Sequence, residues 1–479
     1  MNLLQSTPFQ LVYENDLTAF IPELWANESV AILLENMVVS GMVHRDFENT
    51  LAKFGDIAHT RKPASFTAQR KTKEDDVVVQ NAEATDIQVP LNQHLHTSFT
   101  LKDEDLTKSF QELRAIYLTP AIISLAQAMD KITLGQVYQF MANQQGGLGL
   151  STGSTVKGYM LQAKKRLTIN KAPEAGRNLI IGPETEEDML SLDTFTEADK
   201  VGDDGTALRE ASLGRKFGFG IFQCQNTPSV TVNIAAADAL VDQGTSPTGY
   251  AAGATTIHVD TAGSQFENKP GDFISIAGDA TAQRVTAVGA LATQDIDLTV
   301  SPGVRNAVAN NAIVTRYENA AVNFSAGYAA GYSKAITVSG YTGAIEVGTL
   351  VAFSTNATPD VPIAGYYCVI STTETGSNTT EITLDRPLVT GVVDGDVINL
   401  GPTGEYNFAF ERNCLALVIR PLVAVPGGMG ALSANASFGD VSVRVTVSYE
   451  GRGQGLLVTV DLLCGVATLD TNLAAVMLG

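Results

Sequence analysis

The chain is short of positive charge: 31 Lys and Arg stand against 51 Asp and Glu in 479 residues, a formal net charge of -20. Proteins that grip nucleic acid by neutralising phosphates need clustered basic side chains, so this balance disfavours a DNA reader. Cysteine is scarce too. Cys224, Cys368, Cys414 and Cys464 lie too far apart to form a metal knuckle, a redox pair or a compact disulfide framework. They are expected to be reduced thiols, buried as small hydrophobes. Long apolar runs are missing as well. Val30 to Val39 is broken by Glu35 and Asn36 and is too short to cross a bilayer. With no basic region leading into an apolar segment at Met1, neither a membrane span nor a secretory signal is expected.

What is present is globular composition, 44% hydrophobic and 17% charged, with 43 Gly and a single Trp, which points to a β- and turn-rich chain. Thr18 to Val43 reads as a helix, with Pro22 in its first turn and Leu24, Ala31, Leu34 and Val38 at helical spacing. Asp46 to Thr100 loses that period, gathers charge and then alternates through Ile87, Val89 and Leu91, as a two-stranded excursion with a charged tip would. Asp105 to Met141 is the longest helical candidate, and Pro120 should kink or divide it. A helix over about Thr155 to Leu167, with Met160, Leu161 and Ala163 inward, precedes a strand at Asn178 to Ile181 and a helix at Glu184 to Leu192.

After Gln225 the helical period gives way to short strands, and the pattern repeats at an offset of roughly 80 residues. Thr255 to Val259, Gly271 to Ile276, Ile296 to Leu298 and Ala312 to Val314 are matched by Lys334 to Val338, Gly348 to Phe353, Ile382 to Leu384 and Asp396 to Ile398. Two tandem small β modules are expected. Long apolar segments return at Leu415 to Arg420, Val441 to Tyr449 and Leu456 to Leu463. The simplest topology inserts the modules into one α+β domain that this tail completes.

Catalytic and ligand motifs are few. His94 and His96 would share a strand face and could begin a metal site, but no third ligand is evident, so a partly exposed pair is preferred. Gly146 to Gly153 lacks the Gly-Lys-Ser/Thr ending of a phosphate loop and reads as a hinge. Asp203-Asp204-Gly205 lacks the alternating ligands of a calcium loop and reads as a turn. The five histidines sit in no nucleophile–base pattern, so no enzyme, cofactor or catalytic residue is assigned. The charge run Arg61, Lys62, Arg70, Lys71, Lys73, Glu74, Asp75 and Asp76 is the candidate contact site, because an extended loop carrying both signs can pair with an adjacent copy. The alternative is a solvated loop with local pairing.

In its order of elements the chain resembles the major capsid proteins of tailed bacteriophages, and more narrowly the short-tailed Salmonella phage coat family. The resemblance rests on Val89-Pro90-Leu91-Asn92-Gln93-His94 leading to Phe99-Thr100-Leu101 and Asp105; on Ala207 to Glu210 and Gly214 to Phe219; on Pro270 to Gly278; on Asn407 to Asn413 with Leu415 to Leu417 and Arg420 to Leu422; and on Ser442 to Val445 through Tyr449 to Asp461 and Val466. It implies a Hong Kong 97-type α+β fold. Residues 1–45 would be the amino-terminal arm and helix, 46–100 the extended loop, 101–171 the peripheral domain with its spine helix, and 172–229 the first part of the axial domain. Residues 230–318 and 319–401 would be the inserted β modules, and 402–479 would complete the axial and peripheral domains. Where that family carries one inserted domain, two are expected here.

The resemblance also implies function: self-assembly as pentamers and hexamers into an icosahedral shell that encloses double-stranded DNA without reading its sequence, located in the virion and assembled in the bacterial cytoplasm. A separate scaffolding protein, a portal and a decoration protein are the implied partners. The rival reading is a surface or adhesin-like binding protein built of β modules, which calls for a secretion signal and terminal modules. A polysaccharide hydrolase would need two carboxylates a few ångströms apart.

Overall fold

A computed structural model describes residues 22–45, 56–62, 68, 70–71, 85–102, 110–145, 153–196, 213–242, 249–260, 269–279, 281–289, 295–357, 360–376, 378–423, 431–438, 441–451 and 454–479. The chain is mostly β with few helices, a heavier weighting toward strand than the α+β class expected from the sequence.

Two open sheets form the body. The five-stranded antiparallel sheet runs Leu415–Arg420, Gly455–Thr468, Val441–Glu450, Ala431–Phe438, with Gln93–Lys102 on the far side of Gly455–Thr468. Period-two alternation splits its faces. Leu415, Leu417, Ile419, Val443, Val445, Val458 and Val460 face the helices, while Ala416, Val418 and Leu463 face the opposite way. The helix Pro22–Asn36 lies on the first face, burying Trp25, Ala26, Val30 and Leu33. That corrects the expected orientation: Leu24 and Ala31 are exposed and Leu34 only half-buried. A helix apolar on most sides gives no strong periodic signal, and the neighbouring stripe that contains the bulky Trp25 is the one buried.

The long helical segment is divided at Pro120, as its sequence requires. Phe110–Leu113 is α-helical, Arg114–Leu118 is a π-turn, Thr119–Gly135 is α-helical and Gln136–Asn143 is 3-10. The proline ring would collide with the carbonyl four residues back. The wider π-turn, closed by Thr119 N–H donating to Arg114 O, makes room for it. This segment joins the two sheets. Its α-helical part packs near Gln93–Lys102, while Tyr138 and Phe140 of its 3-10 end pack on Tyr406 and Phe408 of the second sheet at 4.8 and 5.2 Å between ring centroids.

That second sheet is mixed and six-stranded, in the order Ala474–Leu478, Gly404–Glu411, Arg177–Ile181, Phe219–Gln223, Arg215–Lys216, with Ser229–Val230 also paired to Gly404–Glu411. The helix Gly153–Ile169 covers its other face through Met160, Ala163 and Leu167. Leu161, expected inward, is 41% exposed, because it lies off the stripe that Met160, Ala163 and Leu167 define. The helix Pro183–Leu190 has Gly182 at its N-cap and so no capping side chain of its own. Glu405 supplies the cap from the neighbouring strand, accepting from Glu184 N (3.3 Å) and Thr185 N (3.0 Å).

Between Ser229–Val230 and Gly404–Glu411 the chain builds two closed six-stranded barrels. The strands of the first are Ile234–Val241, Thr256–Asp260, Phe273–Ile276, Ala282–Val288, Asp295–Ser301 and Ile313–Tyr317. Those of the second are Asn319–Val322, Ile336–Ser339, Leu350–Ser354, Pro362–Gly376, Thr379–Leu384 and Val397–Gly401. Taken in chain order, each strand has the same neighbours in both barrels. The correspondence reaches side chains: Tyr250 Oη accepts from His258 N in the first barrel, and Tyr328 Oη from Thr337 N in the second.

A single residue, Glu318, separates the last strand of one barrel from the first of the next, and the two meet at a polar junction. Asp272, fully buried, accepts from Asn319 Nδ2 (2.7 Å), Asn399 Nδ2 (3.3 Å) and Lys269 N (2.8 Å), with Arg316 Nη1 at 3.6 Å. Burial pushes the Asp272 carboxyl above the ordinary carboxylate range, against the pull of these partners. Arg284 crosses the same seam, its guanidinium 5.2 Å from the Tyr366 ring centroid.

Candidate inter-subunit contact surface

The charge run maps onto a hairpin. Ile57–Lys62 pairs antiparallel with Thr85–Pro90 and, among the described residues, with no other strand. Arg61 stands opposite Asp86 and Lys62 opposite Thr85. Asp86 accepts a 2.9 Å contact from His59 Nδ1. Arg70 and Lys71, in the connection between these two strands, are exposed. Lys73, Glu74, Asp75 and Asp76 lie outside the described residues, so only part of the run is described.

The hairpin is anchored at its base. Ala58, Val89 and Leu91 pack on Ala416, Val418 and Leu463, the sheet face away from the helices. Leu91 N donates to Asp56 O at 2.8 Å. Gly465 makes this seating possible: a Cβ there would lie 2.2 Å from Pro90 O, a backbone atom that cannot swing aside. Beyond the base, His59, Asp86 and Gln88 are exposed.

A second exposed feature has no signal in the charge pattern. Ala431–Phe438 is an edge strand, paired among the described residues only to Val441–Glu450. Leu432 and Phe438 share the face of buried Ala434 and Ala436, yet are 62% and 73% exposed. An apolar edge of this kind is what isolated proteins avoid and interfaces use. The usable clue was the pair of alanines, small enough for a helix to lie against, flanked by large apolar residues.

The alternative chemistries find little support. His94 Nε2 makes a 2.9 Å contact with buried Asp461 Oδ2, and Arg444 Nε donates to the same carboxylate at 2.9 Å. His94 is therefore held in a structural polar cluster. Its ring centroid is 6.2 Å from that of His96. Among the described residues no group of three His, Cys, Asp or Glu is placed to hold a metal. All four cysteines are free and buried, and burial raises each thiol, Cys464 to about 12, which opposes thiolate chemistry. A cleft of about 430 Å³ lies where the barrels leave the mixed sheet, lined by Lys131, Glu184, Thr227, Cys368 and Glu405 among others. Gly146 to Thr152, all but the last residue of the Gly-rich segment, and Asp203-Asp204-Gly205 lie outside the described residues. Also among the described residues, no helix is long and apolar enough to cross a membrane.

No family model matches the chain, and no curated protein matches it. Solved structures do. The chain is similar to a structure of Mycobacterium phage Che8 (11% identity, TM-score 0.42, covering 92% of this chain and 90% of that one). It is similar to the capsid of Cyanophage P-SCSP1u (10% identity, TM-score 0.40, covering 92% and 91%) and to the mature capsid of bacteriophage PhiM1 (9% identity, TM-score 0.38, covering 92% and 87%). A likeness at this level assigns neither family nor function to the chain.

Proposed function

We propose that this chain is the major capsid protein of a tailed double-stranded DNA bacteriophage, a non-enzymatic subunit of Hong Kong 97-type fold that closes into a shell around the genome. The observation that carries the reading is the hairpin Ile57–Lys62/Thr85–Pro90, which among the described residues is seated on the body at its base. A lone monomer has no use for such an element, whereas a head-to-tail ring of copies needs arms that overlap neighbours. The exposed apolar edge at Leu432 and Phe438 is a natural counterpart surface. Obligate contacts of this kind bury about 2,000 Å² or more.

In this reading the two barrels are insertions into the shell domain and form knobs on its surface. Arg61, Lys62, Arg70, Lys71 and Lys73 pair with acids of an adjacent subunit, and Glu74, Asp75 and Asp76 pair with its bases. The net charge of -20 suits a wall that must not hold its packed DNA. Scaffolding, portal and decoration proteins are the expected partners, and the virion is the location, after assembly in the host cytoplasm.

The test is electron microscopy with sedimentation of the full chain, expressed alone and with a candidate scaffold. Shells, tubes or rings of five and six are the expected products. A well-folded monomer across concentration in both preparations would overturn the reading and favour a β-module binding protein.

A further inference from the structure

Where the first barrel meets the helical layer, three cations converge on a space of about 210 Å³. Lys165 and Arg166 come from the helix Gly153–Ile169, and Arg305 comes from the loop after the barrel strand Asp295–Ser301. Gln145, Gln162 and Asn306 complete the polar wall, and among the described residues no carboxylate lines it. In a chain with far more acids than bases, such a concentration of positive charge is conspicuous.

The cations are positioned by contacts that leave donors unspent. Arg166 Nε donates to Asn143 Oδ1 at 2.9 Å, and Arg305 Nη2 donates to Ala142 O. Arg305 Nε is buried and has no acceptor. The nearby carboxylate of Asp279 is occupied in fixing the loop, accepting from Arg305 N (3.1 Å), Asn306 N (3.0 Å) and Thr281 Oγ1 (2.8 Å). Burial, and then the facing charge of Arg166, lower the pKa of Arg305, and the charge of Asp279 offsets them only in part. Two guanidinium groups and an ammonium held about one polar pocket are unfavourable unless an anion joins them, and guanidinium forks match tetrahedral oxyanions by paired hydrogen bonds.

We infer that this pocket binds a phosphate group, and that the bound group fastens the first barrel to the helical layer beneath it. The inference does not depend on the capsid reading, since it concerns the folded chain alone. A ligand bound only by the native state stabilises it by mass action.

The test is thermal unfolding of the full chain, titrated with inorganic phosphate against sodium chloride at equal ionic strength. A saturable rise in Tm with phosphate beyond that with chloride is expected. Lys165→Gln, at an exposed position that leaves packing intact, should raise the half-saturating concentration about tenfold or more, the worth of one charged hydrogen bond. Lys165→Glu should abolish the response by placing a carboxylate at the mouth. A parallel titration with a short 5′-phosphorylated oligonucleotide separates sources. Tighter response to it than to phosphate assigns the group to nucleic acid, and the reverse assigns it to the free ion. Equal effects of phosphate and chloride on the wild type, or unchanged phosphate response in both Lys165 variants, would overturn the inference.

Discussion

Replacing Asp272 tests how the two barrels are held together. In Asp272→Ala the Arg316 guanidinium, only 17% exposed, loses its carboxylate, and the Asn319 and Asn399 amides lose their acceptor. Stranding a buried charge in this way costs about 3–5 kcal/mol. Each buried amide left unpaired adds roughly 1 kcal/mol, less whatever water can recover. Yet the carboxylate itself is disfavoured by burial, so the native state holds its proton more readily than the unfolded chain does. The sign follows: the native chain binds more protons, so this group's contribution is fullest below the ordinary carboxylate range and declines as pH rises through the elevated pKa. Asp272→Asn should therefore cost less than Asp272→Ala and should flatten that pH slope. The assay is urea denaturation of the wild type and both variants at several pH values, with tryptophan and far-UV signals followed separately, because the single Trp25 reports the helical body and not the barrels. A loss below about 1 kcal/mol in the barrel transition for Asp272→Ala would refute the account given of this seam.

Residues 230–401, excised, should fold as one unit with dispersed heteronuclear spectra, whereas either barrel alone should be much less stable because it exposes its half of the seam. Gly465→Ala should lift the hairpin base, seen as faster amide exchange at Val89 and Leu91 with the sheet core unchanged, since the clash is with Pro90 O. Charge reversal at Arg70 and Lys71, both exposed, should leave monomer stability within about 0.5 kcal/mol and reduce assembly yield. Unchanged yield and shell stability would remove the loop from the contact.

Much of this architecture could be read from residue patterns, and the failures have physical causes. The duplication was visible because Thr-Ile-His-Val and Ala-Ile-Thr-Val each precede a Gly-x-apolar strand entry, and both barrels use that entry in the same place. The first strand of the leading barrel, Ile234–Val241, gives little signal because its Ala-rich sequence carries weak strand propensity. The outward face of the helix Pro22–Asn36 differs from the expected one because apolar residues surround most of it. Polar groups such as Asp272, Glu405 and Asp461 gave no local signal at all. Their roles depend on partners brought from distant parts of the chain, as when Asp461 meets both Arg444 and His94. The charge run could be found from composition, but its pairing with another copy is a property of an assembly and not of one chain.

One consequence concerns how such a chain could grow. The excursion into the barrels begins and ends at paired residues, Val230 opposite Gly404 and Ser229 opposite Glu405. The host sheet therefore sees only a two-strand gate, and the entropy of closing a connection rises slowly with its length. None, one or two barrels could hang from that gate without altering the ladder that carries it. The body nevertheless meets the second barrel directly: the Tyr138 hydroxyl, deep in the body, donates to Gly348 O, and Gln136 Nε2 donates to Asp385 Oδ2 at 3.1 Å. A chain without that barrel would have to fill or repolarise these positions.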